Sequence, residues 1–129
     1  MAQPVVVQEA DLPVEGWDDP ARGAVTWRTL FSGDRTPTES LTQGVAELRE
    51  GDPQAYRLHR HAHAETYYVL AGRGRLTIDG AEHALAPGVA AFIPGNALHG
   101  ARAEGPEPLR ILYTFAADAF AKVQYEFPD

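Results

Sequence analysis

His59-Arg60-His61-Ala62-His63-Ala64-Glu65 is the densest cluster of candidate metal ligands in the sequence. Three of the five histidines of the chain fall within it, and a carboxylate ends it. Neutral imidazole and carboxylate are the donors that borderline divalent transition metals prefer. The stretch therefore predicts a metal site. The alternative interpretation is an exposed polar loop that is rich in histidine.

Geometry favours a metal site only if the chain reverses within this stretch. In one straight strand, a rise of about 3.3 Å per residue would separate His59 from Glu65 by roughly 20 Å, too far for two bonds of about 2.1 Å to one ion. Residues 54–58 and residues 66–70 both have strand-forming composition. A tight reversal at residues 62–64, between these two strands, is therefore expected.

The reversal defines a set of four ligands. His59 and His61 lie on one face at the end of the first strand, because side chains alternate with a period of two. Glu65 begins the returning strand beside them. A fourth donor has to come from elsewhere in the chain, and His99 is the best candidate.

Short strand patterns separated by Gly and Pro turns continue along the chain. Asp79-Gly80 is a strong hairpin signal, and Gly44 indicates a bulge. The predicted strands lie at residues 24–31, 41–49, 75–78, 81–85, 89–93, 98–102 and 109–115. Almost no helical periodicity accompanies them, so the sequence predicts an all-β sandwich or barrel.

Four other segments have weaker patterns. Residues 4–8 form a candidate edge strand, and residues 12–23 have the composition of an irregular connection. Residues 116–122 have a helix-forming composition for about two turns. Residues 123–127 are expected to add a terminal strand or a tail.

Two motifs resemble those of the cupin superfamily, in the family's order. The first has the spacing His59-x-His61-(three residues)-Glu65-(six residues)-Gly72, and the second has the spacing Gly88-(five residues)-Pro94-x-Asn96-(two residues)-His99. The gap of 15 residues between the two motifs is typical of the family.

The match to the two motifs has three departures. Pro53, Asn96 and Ala103 stand where the family has a glycine, a glycine and an asparagine. None of them is a proposed ligand, and asparagine, like glycine, visits the left-handed region of backbone conformation. The departures therefore concern the shape of loops more than the metal.

The resemblance implies one all-β domain over residues 1–129, a double-stranded β-helix with little helix. Its two-motif core spans about residues 54–115, with N-terminal strands in residues 4–49 and a C-terminal tail at residues 116–129. It implies a divalent metal near one mouth of the barrel. Cupins are commonly dimers, and the Val5-Val6-Val7 segment offers an edge that a homodimer would cover.

Charge and composition exclude several classes of partner. The net charge is −7 and Lys122 is the only lysine, so neither nucleic acid nor an anionic membrane is an expected partner. There is no cysteine, which removes disulfides and thiolate chemistry. No apolar run approaches the roughly 18 residues of a membrane helix, and no secretory signal is evident, so a cytoplasmic location is expected.

Three further residues are candidates for contact with a substrate. Tyr67 shares its facing with Glu65, so its phenol is expected in the pocket, either filling the core or acting as an acid or base. Arg57, two residues before His59, is expected to face inward and either bind a substrate carboxylate or form a structural salt bridge. His63 lies at the reversal, as an exposed loop residue or a substrate contact.

Three imidazoles and one carboxylate leave two open positions on a six-coordinate ion, which favours Fe, Mn or Ni, with Zn possible. The sequence therefore predicts a metal-dependent enzyme that oxygenates, isomerises or cleaves a small, anionic molecule. Glu65-Thr66-Tyr67 resembles the dimethylsulfoniopropionate lyases, in which a metal holds the substrate and a tyrosine abstracts a proton. The alternative is a non-catalytic metal- or small-molecule-binding module, for sensing or storage.

Overall fold

The computed structural model describes residues 2–52 and 55–128, and within them the fold is all-β. The strands are β1 (Glu15–Asp19), β2 (Gly23–Phe31), β3 (Thr42–Leu48), β4 (Glu65–Ala71), β5 (Arg73–Ile78), β6 (Ala81–Leu85), β7 (Ala90–Ile93), β8 (His99–Glu104) and β9 (Leu109–Phe115). Helical structure in the described residues is limited to two 3₁₀ turns, Glu9–Asp11 and Phe120–Lys122. The all-β prediction is confirmed.

Two antiparallel sheets enclose the core. One sheet has six strands in the order β1-β2-β3-β9-β4-β7, and the other has three in the order β6-β5-β8. The largest fully buried apolar side chains come from both sheets: Leu76, Ile93, Leu109, Ile111 and Phe115. No helix long and apolar enough to span a bilayer occurs in the part of the chain that the structure describes.

Strand β4 shows how the sequence positions the site. Its burial alternates along the strand, with Glu65, Tyr67 and Val69 buried and the residues between them exposed. This is the period of two that a strand with one face on the core requires. The alternation carries Glu65 and Tyr67 into the interior and leaves Tyr68 on the outer face.

The hairpin between β5 and β6 forms as predicted. Asp79 and Gly80 both have positive φ, 47° and 86°, as a two-residue type I′ turn requires. The Asp79 backbone N–H donates to the Leu98 carbonyl at 2.8 Å, and the Leu98 N–H donates to the Asp79 carboxylate at 2.9 Å. The turn therefore holds the residue that precedes His99.

Two expectations for the N-terminal region are wrong. Residues 12–23 are not all irregular, because Glu15–Asp19 forms β1 and pairs with β2. Tertiary packing stabilises this polar strand, since the Trp17 ring lies edge-on to Trp27 with centroids 5.2 Å apart. Residues 4–8 are not in a strand, and Val6 is 96% exposed. The edge on which the expected homodimer rested is therefore not formed, and the dimer stays a prediction.

Two segments that flank the core also differ from expectation. Gln54 lies outside the described residues, and residues 55–58 are irregular rather than a strand. Residues 116–122 form only the single turn Phe120–Lys122, because side chains of distant strands bind their backbone. Thr42, for example, donates its hydroxyl to the Ala117 carbonyl at 2.8 Å.

The bulge predicted at Gly44 lies on the neighbouring strand. The register between β2 and β3 shifts between Thr29 and Phe31, opposite Gly44. Gly44 itself is in regular pairing, and its role is close packing, because a Cβ atom there would collide with the Tyr113 hydroxyl. A glycine inside a strand signals either cause, and the sequence does not distinguish them.

Replacing Asp79 by Ala is expected to destabilise the protein by about 1–2 kcal/mol. The change removes a hydrogen bond to the Leu98 N–H and places a residue with a β-carbon and no compensating polar group at positive φ. Asp79→Asn is the matched control, because its amide oxygen accepts the same bond and asparagine tolerates this conformation. Urea denaturation measures both; equal losses in the two variants would contradict this role of the turn.

Candidate metal centre

Backbone pairing brings the two histidine motifs together. His59 and His99 form an antiparallel bridge in which each N–H donates to the other residue's carbonyl at 2.8 Å. The chain then bends at Ala62 and His63, where the reversal was expected. The Asn96 N–H donates to the His61 carbonyl at 2.7 Å, with Asn96 at a φ of 67°. The left-handed asparagine therefore ties the second motif to the first.

The three imidazoles of His59, His61 and His99 are buried, each 2% exposed or less. In all three, Nδ1 lies 2.8 Å from a backbone carbonyl two residues away along the chain. An imidazole Nδ1–H that donates to a carbonyl leaves Nε2 as the nitrogen with a free lone pair. One ring nitrogen from each of the three residues lies within 4.8 Å of those of the other two, so the cluster could hold a metal ion.

Glu65 supplies a carboxylate to the same point. It is 4% exposed, and its Oε1 lies 3.2 Å from His61 Nε2 and 3.3 Å from His99 Nε2. A lone-pair nitrogen and a carboxylate oxygen repel one another unless a cation or proton lies between them. Atoms about 2.1 Å from a common ion and at right angles lie roughly 3 Å apart, which agrees with these separations.

Two further observations fit a divalent cation. His99 Nε2 is buried and makes no hydrogen bond to any of residues 2–52 or 55–128. A buried carboxylate such as Glu65 is costly without an opposite charge, and its partners in the described ion pairs are His61 and His99 alone. The donor set of three nitrogens and one oxygen therefore fits a divalent transition metal.

Tyr56 also contacts the cluster. Its hydroxyl lies 3.2 Å from His59 Nε2, and the two rings have centroids 4.8 Å apart. Sequence reasoning missed it, because position 56 in a regular strand would face away from position 59. The irregular backbone of residues 55–58 removes that alternation. No signal in the sequence singles out Tyr56.

Beside the cluster lies an aromatic cavity of about 30 Å³. Glu65 and Tyr67 line it together with aromatic rings that other elements contribute: Trp17, Trp27, Tyr56, Tyr113, Phe120 and Tyr125. No Lys or Arg is among the described residues that line it. Burial raises the pKa of the Tyr56 and Tyr67 phenols, and the Glu65 carboxylate raises the pKa of both further.

The structure does not bring Arg57 or the His63 ring into this cavity. The Arg57 guanidinium donates to the carbonyls of Pro20 and Pro128, at 3.1 and 3.5 Å. The part of His63 that serves the cluster is its backbone carbonyl, which accepts the bond from His61 Nδ1. Tyr67 does face the cavity, with its ring centroid 6.4 Å from that of His99.

Two aromatic residues near the C-terminus were not anticipated at the site. The Tyr125 ring lies 5.2 Å from the His59 ring and 5.1 Å from the His61 ring, between centroids. The Phe127 ring lies 5.4 Å from that of His59. Their positions follow from a tertiary contact more than 60 residues away along the chain, which local patterns do not reveal.

Comparisons with known proteins identify the family. A family model described as a cupin domain matches residues 44–115. Dimethylsulfoniopropionate lyase DddW of Ruegeria pomeroyi is 41% identical over 124 residues, covering 96% of this chain and 80% of that protein. The chain belongs to the cupin family. The resemblance of the two cupin motifs is thereby confirmed.

Solved structures of other proteins share the fold. A cupin 2 conserved barrel domain protein from Rhodopseudomonas palustris superposes with a TM-score of 0.76 at 21% identity, covering 97% of this chain and 85% of that one. The polyketide cyclase RemF from Streptomyces resistomycificus gives a TM-score of 0.75 at 23% identity, covering 98% and 88%. At these identities the likeness is evidence for the fold alone, and it confirms the expected double-stranded β-helix.

Replacing His61 by Ala is expected to weaken metal binding by about 100-fold or more, because even changes to groups that only orient a ligand cost 10–100-fold. His63→Ala is the matched control, since it keeps the backbone carbonyl that orients His61. Metal content after dialysis against Fe(II), Mn(II) or Ni(II), measured by mass spectrometry, checks both. Metal retained in His61→Ala and lost in His63→Ala would contradict the arrangement.

Metal-free protein is expected to lose stability as the pH falls from 6.5 toward 3. Burial lowers the pKa of His59 from 6.5 to about 3, and the neighbouring His99 lowers it further. Across this window the unfolded chain takes up a proton at His59 and the folded chain does not. The free energy of unfolding therefore falls with decreasing pH, by at most about 1.4 kcal/mol per pH unit for this proton.

Denaturation at a series of pH values, with His59→Gln beside the native chain, measures this effect. His59→Gln is expected to remove close to one proton from the slope, whereas His83→Gln, at an exposed position on β6, leaves it unchanged. The same slope in His59→Gln as in the native chain would show that His59 is not the group responsible.

Proposed function

We propose that this cupin is a metal-dependent lyase that cleaves a small sulfonium carboxylate of the dimethylsulfoniopropionate type. The proposal is carried by one observation: three buried histidines with the Glu65 carboxylate beside them border an aromatic cavity that no basic side chain of the described residues lines. The DddW relative, at 41% identity, supports the same class of reaction.

The chemistry of the cavity suits such a substrate at both ends. An onium group is attracted to the faces of aromatic rings, and a water-excluding site strengthens the attraction. The rings of Trp17, Tyr56 and Tyr125 line the cavity together with Glu65. The substrate is anionic at its carboxylate, and in this proposal that group binds at the metal rather than at Arg57, whose guanidinium is engaged elsewhere.

A divalent cation held by His59, His61, His99 and Glu65 would polarise the substrate carboxylate and, by offsetting the charge of Glu65, lower the pKa of the nearby phenols. The aromatic rings of the cavity wall bind the sulfonium group. Once its own proton has passed to solvent, the Tyr67 phenolate oxygen takes a proton from the carbon next to the carboxylate, and the electron pair of that C–H bond forms the double bond between the α- and β-carbons. The bond from the β-carbon to sulfur breaks with its electron pair on sulfur, giving dimethyl sulfide and acrylate.

A second function, a non-catalytic binding module for a metal or a small molecule, is favoured by one observation. The cavity holds about 30 Å³, far less than the roughly 300–1,000 Å³ of ordinary ligand pockets. A module that binds only the metal would need no more room. Turnover separates the two functions.

Replacing Tyr67 by Phe is expected to lower dimethyl sulfide release from dimethylsulfoniopropionate by about 100-fold or more, because general-base groups contribute 10²–10⁴-fold. Headspace gas chromatography measures the product, and metal content is expected to stay at the native level. Tyr68→Phe, on the outer face of the same strand, is the matched control.

Three results would count against parts of this proposal. Full turnover in Tyr67→Phe would remove Tyr67 from the reaction. Loss of metal together with turnover would make Tyr67 a structural residue of the metal centre. Native protein that binds the metal and releases no dimethyl sulfide would favour the binding module.

A further inference from the structure

The last residues of the described chain pack against the histidine cluster. Residues 123–128, here named the C-terminal strap, run in an extended course with alternating burial. Val123, Tyr125 and Phe127 turn inward, and the residues between them are exposed. The Tyr125 and Phe127 rings stack on one another with centroids 5.9 Å apart, and both meet the edge of Trp17.

The strap is attached by few hydrogen bonds. Arg60 and Glu126 form a single bridge in which each N–H donates to the other's carbonyl at 2.9 Å. Arg57 adds a bond to the Pro128 carbonyl at 3.5 Å. By contrast, β4 is paired on both sides, with β7 and with β9. Segments with few backbone pairs open at lower free energy than central strands do.

In this conformation the three imidazoles are covered by protein. His59, His61 and His99 are each 2% exposed or less, and the cavity beside them measures about 30 Å³. A metal ion with its hydration shell and a substrate of several heavy atoms both need a wider passage. Some part of the wall therefore has to move, and the strap is a part of it with few backbone pairs, since it has the Arg60–Glu126 bridge and the Arg57 contact.

We propose that the C-terminal strap is the gate of this site. When the Arg60–Glu126 bridge breaks, the strap swings away and exposes the ring of His59 to solvent. When the bridge re-forms, Tyr125 and Phe127 cover the imidazoles and exclude water, which strengthens electrostatic interactions inside. The inference rests on the proposed metal centre and adds to it the route by which metal and substrate pass.

A reversible lock tests the gate. Arg60 and Glu126 are directly opposed and exchange both backbone hydrogen bonds, so their Cα atoms are about 5.5 Å apart, within the range of a disulfide. The chain has no cysteine of its own, so Arg60→Cys with Glu126→Cys introduces only the intended pair. The protein is loaded with Co(II) while reduced, then oxidised with oxidised glutathione and mixed with a chelator.

Oxidation is expected to slow transfer of Co(II) to the chelator by about tenfold or more, and reduction is expected to restore the rate. The control pair is Thr77→Cys with Glu82→Cys, opposed residues on the β5–β6 hairpin, where the disulfide leaves the rate unchanged. Equal rates in the oxidised and reduced Arg60–Glu126 variant, with Co(II) bound, would overturn the gate alone. Failure of the native chain to bind one Co(II) would overturn the metal centre, and the gate with it.

A second variant acts in the opposite direction and needs no disulfide. Phe127→Ala removes a ring that holds the strap to Trp17 and Tyr125, so Co(II) is expected to leave several-fold faster. Phe92→Ala is the matched control, because that ring is exposed on the outer face of the six-stranded sheet. Equal exchange rates in Phe127→Ala and the native chain would contradict the proposal.

Discussion

The reciprocal pair of backbone hydrogen bonds between His59 and His99 is the constraint on which the site depends. It joins residues 40 positions apart and sets their rings 4.3 Å apart between centroids. On its other side, His99 pairs with Ile78 of β5, so His59 continues the three-stranded sheet by one residue. The imidazoles of His59 and His99 are therefore held by sheet geometry, which is more rigid than a loop.

Burying four polar groups at one point has a physical cost that the surrounding backbone reduces. Each imidazole gives its Nδ1–H to a carbonyl, so the donor of the ring is satisfied and its rotation is restricted. The Nε2 atoms of His61 and His99 are not satisfied in the same way, because each lies against the Glu65 carboxylate. A cation is the species that satisfies all of them together. The arrangement is thus favourable for binding and unfavourable for the stability of the empty fold, a common feature of functional sites.

Features with short-range causes could be predicted from the sequence. The alternating pattern of β4 predicted that Glu65 and Tyr67 face inward, and Asp79-Gly80 predicted the hairpin. Both predictions depend only on residues that are adjacent along the chain. The ligand cluster was accessible through the spacing of two motifs. The contacts of Tyr56, Tyr125 and Phe127 were not, since they depend on an irregular segment and on where a distant strap packs. Strand β1 was missed for the same reason, because packing of Trp17 outweighs its polar composition.

The residues that the sequence predicted at the site and those that it did not predict lie largely in different parts of the chain. The segment that matches the family model, residues 44–115, contains all four candidate ligands and Tyr67. Much of the aromatic wall comes from outside it, with Trp17 and Trp27 on the first two strands and Tyr125 on the strap. In the proposed function, the segment that matches the family model supplies the metal site, and segments outside it supply much of the aromatic wall. Membership of the family does not by itself give the substrate, and the proposed onium substrate rests on the aromatic wall of this chain together with its relative.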